Sequence, residues 1–339
     1  MTEYPQFSIV IPMFNVEKYI ETTINSILLQ TFEDFEVVIV DDCSNDRSAE
    51  IVRNYSDPRI KLFRQIKNSG EGVARNFGLK VARGQYVFFM DSDDALLPQM
   101  FEKFYTAAKE SQADVIYMNT YLRANDPEFT LPGKIDVERR IFYNPTPRFL
   151  SENLIERLQD EYFSVGVHVV PWMKIQRRDF LLENQIHFPQ TFRNSDVLFN
   201  FAELCLGRKI QVIDAQGYIY RSHIDSVMGN ISSEKNLRAA VFSMPSALEF
   251  VREFLESPNL ISPLDESFKM KIETEVITRL MKLFVLDAYD DRMTAEQINT
   301  LLCELMFNTK MFSPEFVRVL FNTLSLEMLE NERLRGENP

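Results

Sequence analysis

The sequence predicts an α/β fold, a mostly parallel sheet flanked by helices, followed by an all-helical C-terminal region. Three observations predict it. Short, continuous apolar runs such as Phe7 to Ile11, Glu36 to Val40 and Tyr86 to Met90 suit strands buried on both faces of a sheet. Segments with apolar residues at helical spacing separate these runs, and strand alternating with helix means parallel pairing. After about Ser232 the strand-like runs stop and helical patterns follow one another, broken by Pro and Asn.

In chain order, Phe7 to Ile11 is the first predicted strand, closed by Pro12. Val16 to Leu29 places Ile20, Ile24, Ile27 and Leu28 on one helical face, with Asn15 as the expected N-cap. The second strand ends at Asp41-Asp42. A helix over about Arg47 to Tyr55, a strand near Ile60 to Phe63, a helix over about Gly72 to Ala82 and the strand Tyr86 to Met90 continue the alternation. A helix over about Pro98 to Gln112 and a strand from Asp114 to Asn119 extend it. Arg123 to Pro147, rich in Pro and polar residues, reads as a surface excursion or flap. Regular signals resume around Phe149 to Leu158, Trp172, the helix after Asp196, and strands near Ile210 to Ile213 and Gly217 to Tyr220. The tail carries helical patterns over Leu237 to Leu255, Phe268 to Tyr289, Ala295 to Phe307 and Glu315 to Leu329.

Composition narrows the function classes. With 339 residues, 45% hydrophobic and 26% charged, the chain has the makeup of a folded globular protein rather than a disordered one. A formal net charge of -13 opposes binding to nucleic acid and to anionic lipid. Such a protein needs a cation or a few placed basic groups to hold a pyrophosphate. Cys43, Cys205 and Cys303 form no CxxC pair, so neither a disulfide framework nor a zinc site is indicated, and a reducing cytoplasm fits. No stretch reaches the roughly 18 apolar residues of a membrane span, so the protein is expected to be soluble or peripheral to the membrane.

In an open sheet of this kind ligands gather at the carboxyl ends of the strands, which draws attention to three loops. Asp91-Ser92-Asp93-Asp94 puts three carboxylates in four residues directly after a strand. Asp91 and Asp93 offer hard oxygen ligands for Mg²⁺ or Mn²⁺, whose octahedral shell phosphate oxygens and water would complete. The competing reading is an acidic cap on the helix that follows. Asp41-Asp42 offers a carboxylate to a uracil N–H, while Ser44 and Asp46 either take part or cap the next helix. Phe14 and Asn15 either contact a base or staple the first helix. Arg75, on the first turns of its helix after the glycine-rich Lys67 to Gly72, either faces a nucleotide or makes a surface ion pair; the segment matches no phosphate-loop pattern.

From Phe7 to Met118 the chain resembles the family 2 inverting glycosyltransferases of the GT-A (Rossmann-like) fold. SIVIPMFN, SILLQTFEDFEVVIVDDCSND, NSGEGVARNFG and FMDSDD fall in the family's order and spacing. The resemblance implies an enzyme with a donor half over about residues 1–120, an acceptor half over about 121–232, and a helical region over 233–339. It implies that Pro12, Phe14 and Asn15 line the nucleotide pocket, that Asp42, with Asp41 beside it, reads uracil, and that Arg75 lies near base or diphosphate. Asp91, Ser92 and Asp93 become the D-x-D motif, with Asp93 the usual direct metal ligand. Cys43 stands where the family has Gly, so a differently shaped loop is expected.

Trp172-Met-Lys174, Ile186 to Pro189 and Asn194-Ser195-Asp196 are similar to a later family stretch, which makes Asp196 the implied catalytic base that takes the proton of an acceptor hydroxyl. Ser195 replaces a common Glu, and N-capping of the following helix is the other reading of Asp196. Tyr220 to Ser226 resembles the end of the family's catalytic domain; Arg221 and His223 are then candidates to hold the diphosphate or complete the metal shell. His168 and His187 read as packing or acceptor-side residues. Ile277, Leu280, Met281, Phe284 and Val285 form an apolar stripe that packs internally or forms a homodimer face or docking face. The implied reaction moves a sugar from a UDP-sugar to a glycan or lipid-linked acceptor in bacterial cell-surface glycan synthesis, in the cytoplasm or at the inner membrane face. A nucleotide-sugar-binding partner subunit and a sugar nucleotidyltransferase are the alternatives.

Overall fold

A computed structural model of the chain describes residues 4–125, 128–129, 136–141, 146–163, 169–190, 195–222 and 243–290. The chain divides into two compact units: residues 1–188, 199–223 and 259–262 form one, and 189–198, 224–258 and 263–339 the other.

The first unit is built on an eight-stranded sheet. Strands β1 (Phe7–Met13), β2 (Phe35–Asp41), β3 (Ile60–Arg64) and β4 (Tyr86–Phe89) alternate with helices α1 (Ile20–Leu28), α2 (Ser48–Arg53) and α3 (Glu71–Val81), as the apolar runs predict. After β5 (Ala95–Leu96) and α4 (Met100–Ser111) come β6 (Val115–Met118), β7 (Thr120–Ala124), β8 (Val137–Ile141) and β9 (Arg148–Phe149). Helix α5 (Leu154–Arg157), β10 (Lys174–Arg177), α6 (Arg178–Glu183), α7 (Ser195–Leu206), β11 (Ile210–Ile213) and β12 (Tyr218–Arg221) complete the series. The large sheet has the order β3-β2-β1-β4-β10-β6-β11-β9, and β5-β12-β7-β8 form a second sheet. Strands β1 to β4 pair in parallel, as do β6 and β11, whereas β10 runs antiparallel between β4 and β6.

Close packing of α3 on β1 needs a glycine. A Cβ on Gly78 would lie 2.2 Å from Val10 Cγ1, so the helix backbone rests directly on a strand side chain. On the opposite side of the sheet, Phe7 stacks on Phe101 of α4 at 5.1 Å, and Phe88 meets the same ring edge-on at 5.6 Å. Seven consecutive buried residues in β1 and again in β2 account for the unbroken apolar runs, since helices cover both faces.

Several expectations need correction. Strand β1 runs through Pro12 to Met13 instead of stopping at the proline. Asn15 does not cap α1; it takes a left-handed φ of 52°, and α1 begins only at Ile20. The excursion after Arg123 is in part a β-arm, because β8 pairs antiparallel with β7. In the second unit, helices Met244–Leu255 and Glu266–Asp290 are described, and Arg252 Nη2 meets Glu273 Oε2 between them at 2.9 Å. Of the apolar stripe, Leu280 is buried; the side chains of Ile277, Met281, Phe284 and Val285, and the helices expected after residue 290, lie outside the described residues. No described helix is long and apolar enough to cross a membrane.

Candidate functional site at the carboxyl ends of β1, β2 and β4

The carboxyl ends of β1, β2 and β4 lie side by side, because β1 pairs with both neighbours in parallel. Hydrogen bonds stitch the first two strand ends together. Asn15 N–H donates to Ser44 Oγ at 3.1 Å, Asn45 N–H donates to Asn15 Oδ1 at 2.9 Å, and Asp42 N–H donates to Met13 O at 2.8 Å. Ser44 N–H in turn donates to Asp41 Oδ1 at 2.8 Å, while Arg64 Nε pairs with Asp41 Oδ2 at 3.4 Å. Asp46 accepts from Ser48 N–H at the start of α2. Cys43 keeps a left-handed backbone with φ 67°, so the loop retains the conformation a glycine would favour despite the side chain. Pro12 is buried within β1, and the Phe14 ring is 44% exposed beside these loops.

Asp42 ties β2 to the glycine-rich segment. Its two oxygens accept from Ser69 N–H at 2.8 Å and Gly70 N–H at 2.7 Å, and Gly70 has φ 91°, where a side chain would be strained. That anchor sets the start of α3. One turn later Arg75, 2% exposed, sends Nη2 to Asp91 Oδ1 at 2.8 Å and pairs through Nη1 with Glu71 Oε1 at 3.2 Å.

The acidic loop after β4 is held from two sides. Thr23 Oγ1 on α1 lies 2.9 Å from Ser92 O and 2.7 Å from Asp94 O. From β12, Tyr218 Oη accepts from Asp91 N–H at 3.2 Å and donates to Asp94 Oδ2. Arg221, also nearly fully buried, gives its N–H to Asp94 Oδ1 at 2.7 Å and its Nε to Asp93 O at 2.6 Å, and its guanidinium lies 3.8 Å over the Phe129 ring. Arg221 is thereby placed against the backbone of the acidic loop. The three acids divide accordingly: Asp94 is locked inside, whereas Asp93 is half-buried and Asp91 keeps 29% of its side-chain surface accessible.

Electrostatics set this loop apart. Desolvation pushes Asp91 up to about 7, with Glu71 and Asp93 adding to the rise and Arg75 opposing it. Burial, then Asp93 and Asp91, drive Asp94 well above the usual carboxylate range. Crowded carboxyls of this kind favour a cation among them. Among the described residues no three acidic, histidine or cysteine side chains converge as a ready cage. A pair of carboxylates completed by phosphate oxygens and water would suit Mg²⁺ or Mn²⁺, and Asp91 and Asp93 are the residues that would hold one.

Asp196 stands on the first turn of α7, where its Oδ1 accepts from the Val197 N–H at 2.9 Å. That residue belongs to the second unit. His223 and His168 lie outside the described residues, and His187 Nδ1 lies 2.7 Å from Gln185 O. Sequence reasoning misses Thr23, Tyr218 and Asp94, which hold the acidic loop in place. Thr23 sits mid-helix and Tyr218 in an ordinary apolar strand, so neither advertises the contact; the third acid of the cluster is the available signal for Asp94.

Residues 8–183 match the family model described as Glycosyl transferase family 2. Two bacterial proteins align over about two thirds of the chain. The uncharacterized glycosyltransferase EpsJ of Bacillus subtilis (strain 168) is 31% identical over 226 residues, 66% of this chain and 63% of that one. Glycosyltransferase GlyG of Streptococcus pneumoniae serotype 4 is 30% identical over 230 residues, 65% of this chain and 72% of its own. The chain thus spans just under two thirds of EpsJ. The crystal structure of Staphylococcus aureus TarS 1-349 in complex with UDP-GlcNAc superposes with a TM-score of 0.68 at 25% identity, covering 93% of this chain and 83% of that one. TarS is named a poly(ribitol-phosphate) beta-N-acetylglucosaminyltransferase.

Proposed function

Because the chain belongs to glycosyl transferase family 2 and has the GT-A fold, we propose that this glycosyltransferase moves a sugar from a UDP-sugar to an acceptor hydroxyl with inversion. The observation that carries the reading is the Arg75–Asp91 pair at 2.8 Å beside Asp93, at strand ends that also present Asp42. Family membership leaves no place for the nucleotidyltransferase alternative. The UDP-GlcNAc complex of a relative supports a UDP-sugar donor and makes UDP-GlcNAc the first to test.

In this reading Phe14 and Asn15, with Pro12 behind them, border the base, and Asp42 accepts the uracil N–H with lone pairs beyond those used for Ser69 and Gly70. Arg75 holds Asp91 in one orientation, and Arg221 with Thr23 holds the loop backbone so that Asp91, Ser92 and Asp93 face the diphosphate. Asp91 and Asp93 would hold Mn²⁺ or Mg²⁺, which when bound neutralises charge developing on the leaving diphosphate. His223 is a further candidate for that shell. Asp196 removes the proton from the acceptor hydroxyl as it attacks the anomeric carbon. A bacterial surface glycan or polyol-phosphate polymer is the proposed acceptor, supported by the name of TarS, with synthesis on the cytoplasmic side of the membrane.

The test is UDP release by the full chain with UDP-GlcNAc, Mn²⁺ and candidate acceptors. Asp196→Asn is expected to lower kcat by about a hundredfold or more while donor binding stays intact, and Asp93→Asn to abolish metal-dependent turnover. Wild-type rates from both variants sink the mechanism. Donor binding without turnover under any acceptor would favour a binding-only subunit.

A further inference from the structure

Among the motif residues without a role in this scheme are Asn76, in the segment that supplies Arg75, and Phe188, in the Ile186-His-Phe-Pro189 stretch. They are 112 positions apart and meet directly. Asn76 Nδ2 donates to Phe188 O at 2.8 Å, and Phe188 N–H donates to Asn76 Oδ1 at 2.9 Å. The carboxamide thus substitutes for a neighbouring strand and satisfies both backbone groups of one residue. A residue held at both its N–H and its C=O has little freedom to turn.

The fixed ring lies between three partners. Arg75's guanidinium carbon stands 5.3 Å from the Phe188 ring centroid. Phe89, two residues before Asp91, meets the ring edge-on at 5.1 Å, and Phe199 of α7 stacks on it at 4.0 Å with the planes 1° apart. Phe188 is 1% exposed and Arg75 2%. A planar cation with an aromatic ring on its face and carboxylates on its edge has a defined orientation.

We propose that Asn76 and Phe188 are positioning residues of the donor site: Asn76 clamps the Phe188 backbone so that its ring supports Arg75, which aims the Asp91 carboxylate. The inference rests on the donor-site reading above. It assigns no contact with the sugar nucleotide to either residue.

Calorimetric titration of the full chain with UDP in the presence of Mn²⁺ tests it, alongside thermal unfolding of each variant. Asn76→Ala and Phe188→Leu should each weaken UDP–Mn²⁺ binding about tenfold. Because both act through Arg75, neither should weaken binding further in an Arg75→Ala background, whereas independent structural damage would add. Failure of the wild-type chain to bind UDP–Mn²⁺ overturns the donor-site reading, and the inference falls with it. A wild type that binds, with both single variants binding equally tightly or with penalties additive to Arg75→Ala, overturns the inference alone. Loss of folding in both variants assigns the pair to stability and overturns it too.

Discussion

Lys174 and Glu203 form an ion pair in which neither side chain has any exposed surface. Lys174 opens β10, Glu203 lies on α7, and Asn200 Oδ1 accepts a further bond from the same ammonium at 2.6 Å. Burial raises the Glu203 carboxyl while Lys174 pulls it back, so each charge is tolerated only because the other is there. Removing one partner leaves the other charge stranded. Lys174→Met should cost about 3–5 kcal/mol in urea unfolding, and Lys174→Met with Glu203→Leu should recover most of it.

Metal binding should depend on pH through Asp91. The carboxylate form binds a cation, and a group pushed up to about 7 gives up its proton on binding. Mn²⁺ affinity should fall about tenfold from about pH 8 to about pH 6, with proton release visible in buffers of different ionisation enthalpy. For the metal-free protein the sign is opposite. A carboxyl raised from 3.8 to about 7 holds its proton better folded than unfolded, so this contribution to stability is full below 3.8 and is lost as pH rises through about 7.

Glu36 should make the fold acid-sensitive. Burial alone would raise it, but Lys61 Nζ at 2.6 Å, Ser8 Oγ at 2.7 Å and the Arg83 N–H at 2.6 Å outweigh burial and leave its carboxyl below its ordinary value. A depressed carboxyl contributes stability above its unfolded value of 4.5 and loses it as pH falls through the folded value. Glu36→Gln should therefore destabilise by about 2 kcal/mol at neutral pH, with the difference from wild type shrinking in acid, as read by urea unfolding at each pH.

Two glycines should respond differently to alanine. A Cβ on Gly84 would lie 2.5 Å from Ser8 N and 2.6 Å from Phe7 C, backbone that cannot move aside. Gly70 has open space around its absent side chain but sits at φ 91°. Gly84→Ala should cost about 3 kcal/mol by overpacking and Gly70→Ala about 1–2 kcal/mol by strain, compared as thermal midpoints.

How legible the fold is depends on how each strand is covered. Strands β1, β2 and β4 are buried on both faces and appear as apolar runs, so the sequence displays them. Strand β10 reads Lys-Ile-Gln-Arg; its charges are absorbed by Glu203 and Asp114, a pairing invisible until the fold brings them together. Two-residue strands such as β5 and β9 fall below any period. At the candidate site, the acids are legible because charge at a strand end has few structural uses, and Arg75 because it follows a glycine-rich segment at the start of α3. The groups that brace them are not: Thr23, Tyr218 and the Asn76 carboxamide act through backbone atoms of distant residues. Asn15 misleads because an Asn before a helix commonly caps it, whereas here its Oδ1 accepts from Asn45 N–H and joins two loops.

The reversed strand β10 also divides the large sheet by the chain order of its parts. On one side β3-β2-β1-β4 comes from a single contiguous stretch ending at Phe89; on the other, β6, β11 and β9 are collected from residues 115–213. The seam is joined by main-chain ladder bonds, which do not depend on side-chain identity. Side-chain changes on either flank therefore leave the bonds of this seam in place, because β4, β10 and β6 are joined through main-chain atoms.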